Sequence, residues 1–446
     1  MKGKKQKRNQ RRGIVVVMSM IFLVLLATIS VSTVSMTSAN ARMADKGKSA
    51  LSNSHSGAEI MRYLLEDMEV PSSFSVGLQN ELTAKGLSGI TAVFDGDKAV
   101  LSGAELSSTD SFTVEITDLT DCWQVDVEGV SSNIARNTRI EFNVDARASG
   151  IFNFGVATKG PLLMSGQASL SGVNFGEEAN VFIDTLAAGN SFEMGSKCVV
   201  GGNVHIVNSY ASYDVHKNSE IGGVTGEAAE DNIHLGVDAV EFPVPDPDHF
   251  RQYATGDTID SSSDIGNYSV LENVTIAANT NPTFASNVTI KGVLFVEQPN
   301  NVKFAGKSTV QGVIVGDTDA GTVMEDSSFD FSGQVECIDA GTLEGSQFDG
   351  IRDEAGTFLM SPGSVVDFSG QANIINGVIA CAGARFTGKA GGTINGSIIN
   401  YSSDPVVMQG QGTLSFNRSD SDGSPAGFVP TYRLVYEPSS YSEIIE

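Results

Sequence analysis

From about residue 150 onward, apolar and polar positions alternate in short runs, and the runs return with glycines at fixed places. One recurring tetrapeptide has a large apolar residue, a spacer, glycine, then Gln or Lys. It stands at Met164-Ser-Gly-Gln, Phe304-Ala-Gly-Lys, Phe331-Ser-Gly-Gln, Phe368-Ser-Gly-Gln, Phe386-Thr-Gly-Lys and Met408-Gln-Gly-Gln. A second signature pairs an aliphatic residue with a glycine two places on, at Ile290/Gly292, Val310/Gly312, Ile375/Gly377 and Ile394/Gly396. More degraded copies stand at Leu170/Gly172, Val200/Gly202 and Ile221/Gly223. Gly292 to Gly312 is 20 residues, Gly377 to Gly396 is 19 and Gly202 to Gly223 is 21; the 65 residues from Gly312 to Gly377 read as three coils. A period near 20 with alternating patterning and glycine corners predicts a mainly β chain whose residues 151–416 form a parallel β-helix. Phe and Met at one place in successive coils would stack as an internal apolar column, so each repeat residue is accounted for by packing alone.

Residues 227–266 break the repeat with the acidic, Pro-containing stretch Phe242-Pro-Val-Pro-Asp-Pro-Asp-His249, which is expected to loop out of the stack. Residues 417–446 lose the repeat and carry Tyr432, Tyr436 and Tyr441; they are expected to cap the last coil or trail as a tail.

Upstream the periodicity changes. Residues 14–36 hold no charge, and as a helix they reach about 34 Å, enough to cross a bilayer core of about 30 Å. Residues 1–13 are a basic leader, expected to stay cytoplasmic. The rival is a cleaved signal peptide, since Ala39-Asn-Ala41 has the form of a processing site. Residues 37–72 place Ala50, Leu51, Ala58, Met61, Leu64, Leu65 and Met68 at helical spacing, either as a continuation of one rod or as a separate helix after a break near Asn40. Residues 74–150 read as an antiparallel meander. Asp95-Gly-Asp-Lys98 marks a hairpin, and Phe112–Ile116, Trp123–Val127 and Arg139–Val144 alternate cleanly. A helix followed by such a meander makes a small α+β unit.

Charge narrows the partners. The net charge is −25, and because the first twelve residues carry seven bases and no acid, the remainder is more acidic still. That excludes nucleic acid and anionic headgroups as partners. Cys122, Cys198, Cys337 and Cys381 are scattered, with no metal-site spacing and no assignable disulfides.

The basic leader, Arg12-Gly13, the apolar run from Ile14, the Ala58-Glu59 helix and the strands ending in Arg139-Ile-Glu-Phe142 resemble type IV pilus-associated proteins of the PilX-like or minor-pilin group. The resemblance covers roughly residues 1–150. It implies cleavage by a prepilin peptidase after Gly13, leaving Ile14 as the first residue, and pilin or pilus-assembly proteins as partners. The family's usual glutamate five residues after the cut is Met18 here, a departure shared with some minor pilins and pseudopilins.

Catalytic chemistry is poorly represented. Glycoside hydrolysis needs two carboxylates flanking one bond, and the nearest cluster is Asp246-Pro-Asp248-His249, where Asp beside Pro more often starts a turn. Asp95/Asp97, Asp317/Asp319 and Asp420/Asp422 have calcium-like spacing, yet none completes an EF-hand loop. Sequons at Asn267, Asn273, Asn287, Asn395, Asn400 and Asn417 follow from composition. No catalytic, cofactor-binding or metal residue is expected. The sequence therefore reads as a non-enzymatic single-pass protein of the cytoplasmic or inner membrane, with its C-terminal region outside the cytoplasm. It would be associated with a type IV pilus or related filament and would display a β-helix to a surface ligand or polysaccharide. The alternative is a secreted β-helix that binds or cleaves polysaccharide.

Overall fold

The computed structural model describes residues 4–71, 73–87, 90–105, 109–186, 189–263, 270–285, 287–418 and 424–444. The chain divides into Met1–Ala146 with Tyr432–Glu446, and Arg147–Thr431.

The first unit is built on one helix, α1 (Lys4–Leu65), which runs through Asn40 without a break. It ends before the expected residue 72, because Asp67 takes φ +64° and the Met68 N–H turns back to the Leu65 carbonyl at 3.0 Å. A second helix, α2 (Phe74–Ala84), occupies the start of the stretch expected to be meander. Strands β1 (Thr91–Asp95), β2 (Lys98–Glu105), β3 (Asp110–Asp118), β4 (Cys122–Ser131) and β5 (Ile134–Arg147) then pair in sequence order. Asp95 pairs with Lys98 across the expected hairpin. The helical stripe Ala58, Met61, Leu64, Leu65 and Met68 is buried with Val114, Ile116, Trp123, Val125 and Val127 of the sheet. Helix and sheet approach so closely that a Cβ on Gly129 would lie 2.2 Å from the Ala50 carbonyl oxygen, so no larger residue fits there.

The C-terminal strand Thr431–Ile444 corrects the expected cap: it is the sixth strand of this same sheet, beside β5. The Glu141 N–H donates to Ser440 Oγ at 2.8 Å and Asn143 Nδ2 to Glu437 at 3.4 Å, so the two strands run antiparallel. Leu434 is fully buried in the unit's core. The whole of Arg147–Thr431 is thus inserted between two neighbouring strands of the first unit.

The second unit consists of three mainly parallel sheets of nine, seven and twelve strands. Successive coils pair in register: Gly292 stands opposite Gly312, Phe304 opposite Phe331, and Phe331 opposite Phe368. The register shows two coils between Gly312 and Gly377 where spacing suggested three. Both are lengthened, the second by the insertion at residues 339–354, which carries three short 3-10 turns. The inward column runs Phe284, Phe304, Phe331, Phe368, Phe386, Met408, Met164, Met194. Its five phenylalanine rings stack face to face at 4.8–5.3 Å.

Spatial order departs from chain order. The first coil pairs on one side with the second, Val156–Thr158 against Val181–Ile183, and on the other with the last, Ile398–Asn400. The chain therefore enters mid-stack and winds out to one end at Ile233–Leu235. It crosses to the opposite end at Thr258–Ile259, then winds back to meet its own first coil. The crossing segment is the excursion expected to loop out, and that expectation is corrected. Phe242 and Phe250 are buried against Phe295, Val315, Ala380 and Ile399 on the outer face of the twelve-stranded sheet. Tyr401 Oη donates to the Pro243 carbonyl at 2.7 Å. With both faces covered, strands such as Val378–Cys381 bury every residue, as sheets enclosed on both sides do.

Candidate functional site

The exposed apolar part of α1 is the most distinctive surface. It is the one helix among the described residues long and apolar enough to cross a membrane. Every side chain from Met18 to Lys46 is exposed, including Phe22, Leu23, Leu25 and Ile29. From Ala50 onward one side of the same helix is buried in the sheet core. Thr28, Thr33 and Thr37 donate their hydroxyls to carbonyls one turn back, so their polarity is satisfied within the helix. Gly13 and Ile14, the expected processing residues, lie within the helical span.

The acidic stretch of the crossing segment does gather titratable groups. His249 Nε2 lies 2.9 Å from Glu354 Oε2, and Tyr253 Oη donates to Glu354 Oε1 at 2.8 Å. Burial, and next the Glu354 carboxylate, push the Tyr253 phenol up to about 12. A cavity of about 350 Å³ is bounded by Asp246, His249, Glu354 and the segment 424–430. Asp246 accepts from the His249 N–H at 3.3 Å, which caps the short helix Asp248–Arg251. Asp248 and Asp317 both accept from Arg251, at 2.8 and 2.7 Å. Glu354, Asp246 and Asp248 each hold a protein partner, so the geometry staples the crossing segment to the 339–354 insertion.

A second set of polar groups lies where first and last coils meet. Glu178 is buried, and its carboxylate accepts from the Asn174 N–H (2.7 Å), Asn174 Nδ2 (2.9 Å) and the Arg418 N–H (3.1 Å). Burial alone would raise its pKa, but these hydrogen bonds and one from the Phe175 N–H outweigh it and hold the carboxyl below its ordinary value.

Of the calcium-like pairs, Asp317 is bound to Arg251, and Asp420/Asp422 lie outside the described residues. No group of three His, Cys, Asp or Glu able to hold a metal occurs among the described residues. All four cysteines are free thiols. Burial pushes Cys337 and Cys381 up to about 12, where a thiol is unreactive. Asn273 and Asn400 are buried and bonded into the fold, so those two sequons are structural; Asn267 lies outside the described residues.

Sequence reasoning missed one pair. His205 and His234 are 29 residues apart in no motif, yet they are opposite each other on adjacent strands, with ring centroids 5.1 Å apart. Burial, and then the neighbouring His234, hold His205 below the ordinary histidine value. Only the register of the coils could have shown this pair.

No known family model matches this chain, and no curated protein matches it. Among solved structures, the chain is similar to the competence-associated pilin ComZ from Thermus thermophilus, with 11% sequence identity and a TM-score of 0.30. That match covers 90% of this chain and 98% of the other.

Proposed function

We propose that the chain is a non-catalytic, single-pass membrane protein of the PilX-like or minor-pilin type, which carries a parallel β-helix outside the cytoplasm as a display surface. The observation that carries this reading is the division of labour along α1: wholly exposed and apolar over residues 18–36, then buried on one side against the sheet from Ala50. A soluble protein would gain nothing from leaving so much apolar helix in water, whereas a bilayer covers it. The seven basic residues before it place the N-terminus in the cytoplasm. In this reading Gly13 and Ile14 flank the prepilin-peptidase cut, pilins or pilus-assembly proteins are the partners of the helical unit, and a surface ligand or polysaccharide meets the β-helix.

The deciding experiment is the mature N-terminus, read by mass spectrometry on protein from membranes and from sheared surface filaments. A start at Ile14 in either fraction is the expected result. A chain that starts at Arg42 and appears in the medium would replace this reading with secretion and polysaccharide binding.

A further inference from the structure

His205 and His234 hold consecutive rungs on the outer face of the twelve-stranded sheet, where Val204 and Ile206 point into the core between them. Their column continues through Phe182, Ala157 and Ile399. The Phe154 ring packs on Phe182 at 4.9 Å and on His205 at 5.6 Å, so His205 is braced on one side. His234, on the last strand of the sheet, is exposed. The chain's three other histidines are all engaged: His55 with Tyr441 and Glu443, His216 with the Asn218 N–H, and His249 with Glu354. By contrast, neither His205 nor His234 hydrogen-bonds to protein among the described residues.

We propose that His205 and His234 form a two-imidazole site for a divalent first-row transition ion that prefers nitrogen, namely Ni²⁺, Cu²⁺ or Zn²⁺. Imidazole suits these ions, while Ca²⁺ and Mg²⁺ demand oxygen ligands that the pair does not offer. Nitrogen–metal bonds of about 2.0–2.1 Å place two adjacent ligand nitrogens about 3 Å apart. Neighbouring rungs of a sheet are about 4.8 Å apart. The rings are tilted 37° to each other, so one pair of edges already converges. The exposed His234 ring closes the remaining gap by rotating about its own side-chain bonds, with His205 held by Phe154. Water fills the other coordination positions, because no third His, Cys, Asp or Glu joins the pair among the described residues. The site is consequently a modest, exchangeable one.

The test uses the full chain in detergent, purified without a polyhistidine tag, titrated with NiCl₂ by calorimetry and loaded with Cu²⁺ for paramagnetic resonance. One ion per chain and a two-nitrogen copper signal are expected. His234→Ala and His205→Ala should each weaken binding by more than about tenfold, since even outer-shell changes cost that much at metal sites. His216→Ala, at an exposed histidine outside the pair, should bind as the wild type does. Should His205→Ala fold poorly through lost packing against Phe154, His234→Ala alone decides, as its side chain is exposed. Absence of saturable one-ion binding to the wild type, or unchanged affinity in His234→Ala, overturns the proposal.

Discussion

Phe304 is fully buried between Phe284 and Phe331, its ring plane within 17° and 7° of theirs, and its backbone pairs in register with both. Removing it takes away two stacking partners at once and leaves a void that the rigid coils on either side cannot close. Phe304→Ala should therefore cost about 3–5 kcal/mol in denaturant unfolding, against less than about 0.5 kcal/mol for Lys389→Ala on the exposed surface. Equal effects would mean the column is misassigned. Glycine is fixed by similar constraints: Gly292 has φ +74°, and a Cβ there would lie 1.9 Å from Asn273 Oδ1. That Asn273 amide accepts from the Val293 N–H at 3.1 Å and donates to the Gln347 carbonyl at 2.9 Å, tying the 339–354 insertion to the sheet. Glu178 gives a pH prediction. Its folded pKa lies below the ordinary carboxyl value, so its contribution is full above that value and is lost as pH falls through the folded one. Glu178→Gln should cost about 1–3 kcal/mol at pH 7, the usual range for hydrogen bonds to a buried charge. The gap from wild type should narrow steadily below about pH 4. A gap that holds constant down to pH 3 would show that the carboxylate's charge plays no part.

At the scale of elements, the crossing segment is a structural strap. Phe250 is fully buried under it, and Arg251 stacks over the Phe295 ring at 4.3 Å while bound to Asp248 and Asp317. Phe250→Ala should lower stability by about 3–5 kcal/mol, as a large core truncation does; a change under 1 kcal/mol would return the segment to the status of a loose loop. This element marks where the sequence stopped being legible. Period, glycine corners and the Phe/Met column were readable because each coil repeats the same local constraint at Gly292 and Gly312, or at Phe304 and Phe331. The hairpin at Asp95–Lys98 and the buried stripe from Ala58 to Met68 were readable for the same local reason. Coil order was not, because pairing of Val156 with Ile398 leaves no trace in spacing across 242 intervening residues. Prolines in Phe242–Pro247 announce that the segment cannot be a sheet strand; they are silent on whether its phenylalanines find a sheet face to cover. The fate of the C-terminal strand was hidden likewise, since alternation says that a strand exists but not which edge it joins. The histidine pair needed the register of two coils, so it stayed invisible too.

For the whole molecule, the insertion topology changes what each part must do. The ends of the large stack are not covered by the flanking regions, as the sequence suggested, because both flanks leave from its middle. The stack protects its own ends. Its outermost strands are short, four residues at Ser212–Val215 and two at Thr258–Ile259 and at Thr283–Phe284, and short edges resist pairing with other chains. The turn Glu227–Glu230 closes one end with Ala229 fully buried in the core. The second unit alone, residues 147–431, should accordingly fold and stay monomeric at high concentration in light scattering. Its two ends also meet, since the Phe152 and Phe428 rings touch at 5.2 Å between centroids. Adjacent ends are what lets an inserted domain leave its host intact. In the host, β5 and the C-terminal strand are antiparallel neighbours, which brings Ala146 and Tyr432 to the same end of the sheet. Replacing residues 147–431 by a short Gly/Ser turn should therefore give a membrane-anchored protein whose helix and six strands still fold. Circular dichroism in detergent should show a cooperative melt, and Leu434→Ala, which removes a fully buried core residue, should lower its midpoint. If the excised host melts without cooperativity while residues 147–431 fold alone, the host sheet depends on its guest, and the two must have been acquired as one body rather than as an anchor carrying a separable display module.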